Sequence, residues 1–235
     1  MSLAKPIVIL LSLLLFGFLE LRSPFFHYRS SLFQRMAKNF GLGLLNFAVI
    51  TLFLKLVQPL MHPLPLQLQL PISPAIAGVL NFLILDLFHY HWHGLMHCTQ
   101  WGWALHRVHH SEQEMNVSTS YRFHPIEILL SSIPKTGLVI LFGMTPIQVL
   151  VYELCFSTSV IFHHSNWYLS DRLDRLLSLL FVTPHLHRVH HSSAYRDDRH
   201  NLATVFSLWD RLGGSFRYPR QPKRLKLGIY NPIDA

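Results

Sequence analysis

The sequence predicts an all-α integral membrane protein, a helical bundle in the bilayer with a histidine-rich cap on its cytoplasmic side. Half of its 235 residues are hydrophobic and only 14% are charged, and the mean hydropathy is positive at +0.28. This balance is unusual for a soluble domain and is expected where lipid replaces water as the solvent. Several apolar segments have the length of a spanning helix, and the 17 histidines concentrate near the ends of these segments.

Three apolar segments make up the first part of the bundle, residues 1–95. Residues 6–21 are a short apolar run without a small-residue cleavage pattern after it, so we expect an uncleaved anchor rather than a signal peptide. Residues 41–60 and 74–95 each approach the roughly 20 residues that a spanning helix needs.

Residues 126–164 predict a membrane hairpin. The segment is apolar, but the turn sequence Gly-Met-Thr-Pro at 143–146 divides it into two short helices. A charged group inside the hairpin, Glu153, is costly in lipid, so we expect it to face protein or a cavity. Residues 96–125 and 165–235 then form the two parts of the cap, and the second part includes a basic tail.

Charge counting orients these pieces relative to the membrane. The loop 22–38 carries four basic residues and no acidic one, whereas the loop 58–73 carries no charged residue. Loops rich in Lys and Arg stay on the cytoplasmic side, so the first loop is cytoplasmic and the second is external. Every histidine-rich segment then lies on the cytoplasmic side of a bacterial inner membrane or of the endoplasmic reticulum.

Two further features exclude broad classes of protein. Cys98 and Cys155 have no framework spacing, which argues against a disulfide scaffold and against a thiolate metal site. The net charge of +8 matches the excess of Lys and Arg on the cytoplasmic side of membrane proteins, and it does not indicate nucleic acid.

The seven residues LHRVHHS occur twice, at 105–111 and at 186–192, in otherwise different surroundings. Each copy contains the pattern His-x-x-His-His, and two earlier histidines in HGLMH are four residues apart. Residues at i, i+3 and i+4 share one helix face, so we expect each motif to aim two or three imidazoles at one point. A further histidine comes from HHSNW, where His163 competes with His164 for the role. The candidate ligands are His93, His97, His106, His109, His110, His164, His187, His190 and His191.

Nine nitrogen ligands exceed what one metal ion accepts, so they predict a centre of two metals. Ligation by nitrogen alone favours zinc, copper, iron or nickel over calcium or magnesium. The sequence contains neither the His-Glu-x-x-His motif of zinc proteases nor the Glu-x-x-His pairs of carboxylate di-iron bundles. These patterns alone leave the choice of metal open.

Over residues 86–216 the sequence resembles the fatty acid hydroxylase and sterol desaturase superfamily of membrane enzymes. The segments DLFHYHWHGLMH, WALHRVHHS, RFHPIE, HSN, TPHLHRVHHS, NLA and WDRLGGSF occur in the family's order. The chain departs from the family's pattern at Gly94, Leu202 and Gly213, where the family has Arg, Tyr or Phe, and an aromatic residue. None of these departures removes a histidine.

The resemblance implies two iron ions that activate dioxygen and hydroxylate or desaturate a C–H bond of a lipid, such as a fatty acyl chain or a sterol. Breaking such a bond needs a redox-active metal. Zinc is an alternative occupant of the same site. The nine histidines would be the ligands. The electrons would come from a small cytochrome or from a ferredoxin with its reductase, docked on the basic tail.

Polar residues beside the motifs are candidates for orienting the ligands or for joining them. His89 lies four residues before the first ligand, and His124 belongs to RFHP. The full set is His89, His124, His163, His185, Asp86, Asn166, Asp198 and Asn201.

Two other functions remain alternatives. A two-zinc membrane hydrolase acting on a lipid would use the same histidines to generate hydroxide. A membrane protein for metal transport or storage would bind the ions without chemistry. A transporter, however, should place His or acidic residues midway along its spans, and the predicted spans contain few of them.

Overall fold

A computed structural model describes residues 3–57, 72–194, 197–218 and 225–229. Within these ranges the regular secondary structure is helical apart from isolated bridged pairs, which confirms the all-α class. The helices are α1 (Ala4–Arg22), α2 (Leu32–Val57), α3 (Pro74–Cys98), α4 (Gln100–His110), α5 (Pro125–Leu141), α6 (Pro146–His164), α7 (Asp171–Leu177), α8 (Pro184–His190) and α9 (Leu208–Leu212), with 3₁₀ turns at Val117–Tyr121 and Asp197–Arg199.

Four of these helices, α1, α2, α3 and α6, are long and apolar enough to cross a membrane. Their burial is inverted relative to a soluble bundle, because α1 exposes Leu10 and Phe18 and buries Ser12 and Glu20. Polar groups in lipid must be satisfied inside the protein. Accordingly, Ser12 Oγ lies 3.2 Å from Thr158 Oγ1 of α6. The chain is therefore an integral membrane bundle.

α2 begins at Leu32, well before residue 41, where the sequence predicts the start of the span. The additional turns are polar, and tertiary contacts stabilise them. Asn39 donates to Ser118 Oγ over 3.0 Å, and it accepts from Arg122 over 3.1 Å. The basic connection between α1 and α2 is consequently shorter than hydropathy indicates. The predicted external loop lies, up to residue 71, outside the described residues.

α3 and α4 meet at a tight bend around Thr99. Thr99 is extended, with φ −114° and ψ 145°, and its hydroxyl accepts from the Gly102 amide at the start of α4. Gly102 leaves no room for a side chain, since an added Cβ would lie 2.7 Å from the Met96 Cα. α4 therefore folds back closely against the end of α3, and the histidines of both helices meet.

A turn joins α5 to α6 in the segment predicted as a hairpin. Gly143 has a φ of 57°, which favours glycine. Thr145 caps α6, and Pro146 occupies its first position. The two helices diverge after the turn, because α5 packs mainly against α2 and α6 packs mainly against α1.

Glu153 on α6 forms ion pairs with lysines from two other helices. Its carboxylate lies 2.6 Å from Lys5 Nζ of α1 and 2.5 Å from Lys135 Nζ of α5. The carboxylate thus faces protein, which is what the cost of a lone charge in lipid requires.

A candidate centre for two metal ions

The nine histidines that the sequence nominates come from four helices or their ends. α3 supplies two of them from its last turns, α4 supplies three, the end of α6 supplies one, and α8 with the residue after it supplies three. These elements pack against one another, so residues far apart in the chain become neighbours.

The nine histidines form two groups, and in each group one side-chain nitrogen per residue lies within 4.8 Å of the others. Centre A consists of His93, His97, His106, His110 and His190. Centre B consists of His109, His164, His187 and His191. All are buried except His93, which is half-buried. Their role as metal ligands remains a prediction.

Each His-x-x-His-His motif is divided between the two centres instead of pointing at one. The first motif gives His106 and His110 to centre A and His109 to centre B. The second motif gives His190 to centre A and His187 and His191 to centre B. Residues at i and i+4 lie on one helix face, while i+3 lies on the other side of i. The centres touch where the His110 and His191 rings stack, with centroids 4.3 Å apart and planes 13° apart.

Hydrogen bonds to the outer nitrogens fix the tautomers of several rings. The Nδ1 atoms of His93 and His164 each lie 2.7 Å from a backbone carbonyl, those of Leu202 and Val160 respectively. A carbonyl oxygen only accepts, so Nδ1 carries the proton and Nε2 carries a bare lone pair. The same holds for two other rings: His109 donates to the carbonyl of Arg122 over 3.2 Å, and His190 donates to that of His200 over 3.0 Å.

The bare nitrogens face one another, and this geometry fits bound cations. His93 Nε2 lies 3.1 Å from His106 Nε2 in centre A, and His164 Nε2 lies 3.0 Å from the Nε2 atoms of both His109 and His187 in centre B. Two lone pairs at this distance repel unless a positive ion bridges them. Among the nine histidines, the buried Nε2 atoms without any hydrogen-bond partner are those of His97, His110, His190 and His191. Buried polar atoms rarely lack partners, so these orphans also fit metal ligation.

Burial keeps the cap histidines in the form that can bind a metal. Desolvation, followed by the neighbouring imidazoles, lowers the pKa of His109 and His110 well below its usual range. The same causes lower the pKa of His187, His190 and His191. At neutral pH these rings are therefore uncharged, as ligation by imidazole nitrogen requires.

Glu127 holds His106 in place, and the sequence reasoning did not single it out as a site residue. Its Oε1 accepts from His106 Nδ1 over 2.7 Å, and the residue is only 4% exposed. A carboxylate bonded to the outer nitrogen of an imidazole orients the ring and strengthens it as a ligand. The sequence nevertheless contains an indication of this role, because Glu127 is an acidic residue in the first turn of an apolar helix that begins at the proline of RFHP.

Among the residues predicted to support the ligands, Asp198 reaches one of them. Its Oδ2 lies 3.4 Å from His97 Nδ1. His163 lies beside centre B, with its ring centroid 4.0 Å from that of His187, but it is not a member of either group.

Three of the other nominated histidines make contacts away from both groups. His89 Nδ1 donates to the Leu85 carbonyl over 2.8 Å and lies 2.9 Å from the Tyr152 hydroxyl. His124 caps α5 by accepting from the Ile126 amide. His185 Nδ1 lies 3.4 Å from Asp174 Oδ2.

The remaining predicted residues fix the loops that carry the ligand partners. The Asp86 carboxylate accepts from the amides of Val205 and Phe206 and from the Trp209 indole, which ties α3 to the loop after residue 200. That loop presents the carbonyl that orients His93.

Two asparagines act in the same way. The Asn201 side chain donates to the carbonyls of Leu186 and Arg217, and its φ of 54° turns the chain there. Asn166 bonds both backbone groups of Phe26 and so ties the chain after α6 to the segment after α1.

A cavity of about 370 Å³ lies beside centre A. The residues that line it come from the α3–α4 bend, the end of α8, the second 3₁₀ turn and the segment around residue 228. Two of them, His97 and His110, belong to centre A, and three others, Cys98, Gln100 and Ala194, are exposed to solvent.

One departure from the expected motif has a steric reason. Gly213 packs against Tyr90, and an added Cβ there would lie 2.0 Å from the Tyr90 hydroxyl. An aromatic side chain cannot occupy this position while Tyr90 keeps its place and its 3.0 Å hydrogen bond with Ser215.

Comparison with known proteins places these features in a family context. A family model described as fatty acid hydroxylase matches residues 78–215, which include all nine histidines. The chain is 31% identical over 157 residues to an alkylglycerol monooxygenase from Homo sapiens, covering 66% of this chain and 33% of the relative. It is 29% identical over 160 residues to the ornithine lipid hydroxylase OlsE from Rhizobium tropici, covering 68% of this chain and 47% of the relative.

A third relative is a Delta(7)-sterol 5(6)-desaturase from Eremothecium gossypii, 29% identical over 145 residues, which cover 62% of this chain and 38% of the relative. The chain therefore spans a third to about half of the length of these relatives. No solved structure matches it.

Proposed function

The chain belongs to the fatty acid hydroxylase family, and from this membership we propose that it is a membrane-bound di-iron oxygenase of lipids. It uses dioxygen and external electrons to hydroxylate, or to desaturate, a C–H bond of a lipid substrate. The relatives named above are, by their names, a monooxygenase, a hydroxylase and a desaturase of lipids or sterols.

The observation that carries the proposal is the set of facing Nε2 lone pairs in two adjoining groups. Five nitrogens in centre A and four in centre B suit two ions of a borderline transition metal. When bound, two iron ions supply the redox chemistry that an unactivated C–H bond requires. Zinc fits the same nitrogens but would support only hydrolysis.

The protein's own residues determine orientation and access. Carbonyl groups and Glu127 hold the rings so that the bare nitrogens converge. His93 is half-buried near the membrane-inserted part of α3. A lipid that diffuses within the bilayer therefore approaches centre A from the side of His93, while the four buried histidines of centre B are shielded from water.

The sidedness and the electron donor are parts of the same proposal. The four basic residues among residues 22–38, where no acidic residue occurs, support a cytoplasmic location for the centres, in a bacterial inner membrane or the endoplasmic reticulum. Electrons come from a small cytochrome or a ferredoxin with its reductase. The basic tail offers it a docking surface, although residues 219–224 and 230–235 of that tail lie outside the described residues.

The nine histidines lie together where the spanning helices end rather than along the spans. This arrangement favours catalysis over metal transport, because a transporter places its ligands along the membrane pathway.

A comparison of lipid extracts tests the proposed function. Cells that express the protein should contain lipids that have gained one oxygen or lost two hydrogens, as measured by mass spectrometry. Cells that express His190→Ala should not contain them, while His124→Ala, which alters a histidine outside both groups, should retain the products. The two-zinc hydrolase would replace the oxygenase if the purified protein acted fully with zinc and consumed no dioxygen.

A further inference from the structure

The two centres differ in their access to water. The cavity beside centre A is lined by two of its histidines, His97 and His110. None of the four histidines of centre B is among its lining residues, and all four are buried. The His110 ring lines the cavity on one face and stacks against His191 of centre B on the other.

We infer that this cavity is the entrance through which metal ions reach the protein, so that centre A loads and exchanges its ion directly and centre B only by way of centre A. The inference rests on the metal centres of the proposed function. It adds a route and an order of filling, which the composition of the two groups alone does not contain.

The chemistry of the walls supports a route for a hydrated cation. A divalent ion cannot cross the lipid-facing helices because of the cost of desolvation, so it has to approach through polar surface. The cavity offers the side-chain amide oxygen of Gln100 as a ligand that can replace water, and the Ser192 hydroxyl lies in its wall. The charges of Asp198 and Arg199 are both present in the wall, so polarity and space define the route rather than net charge.

At its inner end, the cavity reaches histidine nitrogens that have no hydrogen-bond partner. His97 Nε2 and His110 Nε2 are buried and have no hydrogen-bond partner, so an ion that passes the mouth meets two free lone pairs. From there, an ion passes to centre B by way of centre A, where the His110 ring stacks on His191 and the His106 ring lies beside His109.

Cobalt uptake by the full-length protein tests the inference without any enzymatic assay. The apoprotein in detergent is mixed with Co²⁺, and the visible absorption is followed together with the cobalt content. In Ala194→Trp, a large side chain on the exposed wall fills the cavity without replacing a histidine. We expect uptake at least ten-fold slower than in the unaltered protein, with the same final spectrum and cobalt content. The matched control, Leu212→Trp, changes a residue that is 72% exposed on α9 and should load at the normal rate.

Alkylation provides a second test, in which the cavity is blocked only after the protein has folded. Cys98 lines the cavity and is exposed, so N-ethylmaleimide on the folded Cys155→Ser protein should block the mouth. We expect cobalt release to EDTA to slow at least ten-fold. The doubly substituted protein, with Cys98→Ser added, should be insensitive to the reagent. Equal rates of cobalt release with and without alkylation would overturn the inference that this cavity is the entrance.

The order of filling gives a separate readout. When two equivalents of Co²⁺ are added, the absorption of the five-nitrogen site should appear first, and the absorption of the four-nitrogen site should follow. Simultaneous filling in the unaltered protein would overturn the order. If the unaltered protein bound no cobalt at all, the metal centres and the proposed function would fail together, whereas rapid uptake by both tryptophan variants would reject the entrance alone.

Discussion

Glu127 illustrates how a single buried carboxylate can fix which nitrogen of a histidine is free to bind a metal. It accepts the outer nitrogen proton of His106, and so it keeps Nε2 free at the point where centre A closes on His93. Other rings are oriented by backbone carbonyls, which carry less negative charge. A charged acceptor makes the imidazole a stronger donor to a metal.

Glu127→Gln should weaken metal binding at centre A by about 10- to 100-fold, the range found when such outer partners are removed. The amide can still accept the hydrogen bond but carries no charge, so the fold should persist. Titration of the apoprotein with cobalt or zinc measures the change. Glu114→Gln is a suitable control, because its carboxylate bonds the backbone near Arg29 and not a histidine. Equal affinities in the two variants would contradict this role of Glu127.

At the scale of elements, α4 supplies histidines to both centres, and so does α8 with the residue after it. The sequence spacing alone suggests one target per motif, yet adjacent residues such as His109 and His110 enter different centres. Neighbouring substitutions should therefore have different consequences.

His110→Ala should remove one ligand from centre A, and His109→Ala should remove one from centre B. Each variant should lose about one metal ion per chain, and the cobalt spectra of the two variants should differ because different sites remain. Metal analysis with absorption spectroscopy measures this, with His124→Ala as the variant that keeps both ions. Identical spectra for the two single variants would contradict this division of the histidines between the centres.

The ion pairs of Glu153 link α6 to α1 and α5. The carboxylate side chain is 16% exposed, and those of Lys5 and Lys135 are 41% and 25% exposed. Because Lys5 is well exposed, most of the stabilisation should come from the pair with Lys135.

Glu153→Gln leaves two lysines without their counter-charge, so it should lower the free energy of unfolding by about 3 kcal/mol, at the low end of the cost of breaking a buried pair. Thermal unfolding in detergent measures the effect. Adding Lys135→Met in the same chain removes one of the two unpaired charges, returns the local net charge to its original value, and should recover part of the loss. Unfolding unchanged by Glu153→Gln would show that the pairs do not stabilise the bundle.

At the scale of the whole molecule, the buried neutral imidazoles make stability depend on pH. Burial lowers the pKa of His109, His110, His187, His190 and His191 below its usual range. Between that lowered pKa and about 6.5, the unfolded chain binds more protons than the folded chain. The stability that neutral rings contribute is therefore present above about pH 6.5 and is lost as the pH falls below it.

Metal retention should follow the same direction, because protons compete with the metal for each nitrogen. We expect both the unfolding midpoint and the bound metal to decline as the pH is lowered from about 7 to 5. Parallel measurements of metal content and thermal unfolding test this. Retention that stays constant down to pH 5 would contradict ligation by these imidazoles.

The sequence predicted much of the molecule where local chemistry is sufficient. Hydropathy over about 20 residues marks a spanning helix without knowledge of its neighbours, and α1 and α3 lie where such segments occur. The sequence was less informative where tertiary contacts determine the structure. One example is the polar start of α2, which Asn39 anchors, and another is the separation of α5 from α6. Glu127 escaped notice for the same reason, since its importance depends on a partner 21 residues away.

By itself the sequence determined the helical class, the membrane character and the nine histidines, because these depend on side-chain chemistry and on spacing within one helix. The tertiary structure decided which nitrogen belongs to which centre, which carbonyl or carboxylate orients it, and which centre the cavity reaches. Those properties arise only when helices distant in the chain pack together. No local sequence pattern contains the information that determines this packing.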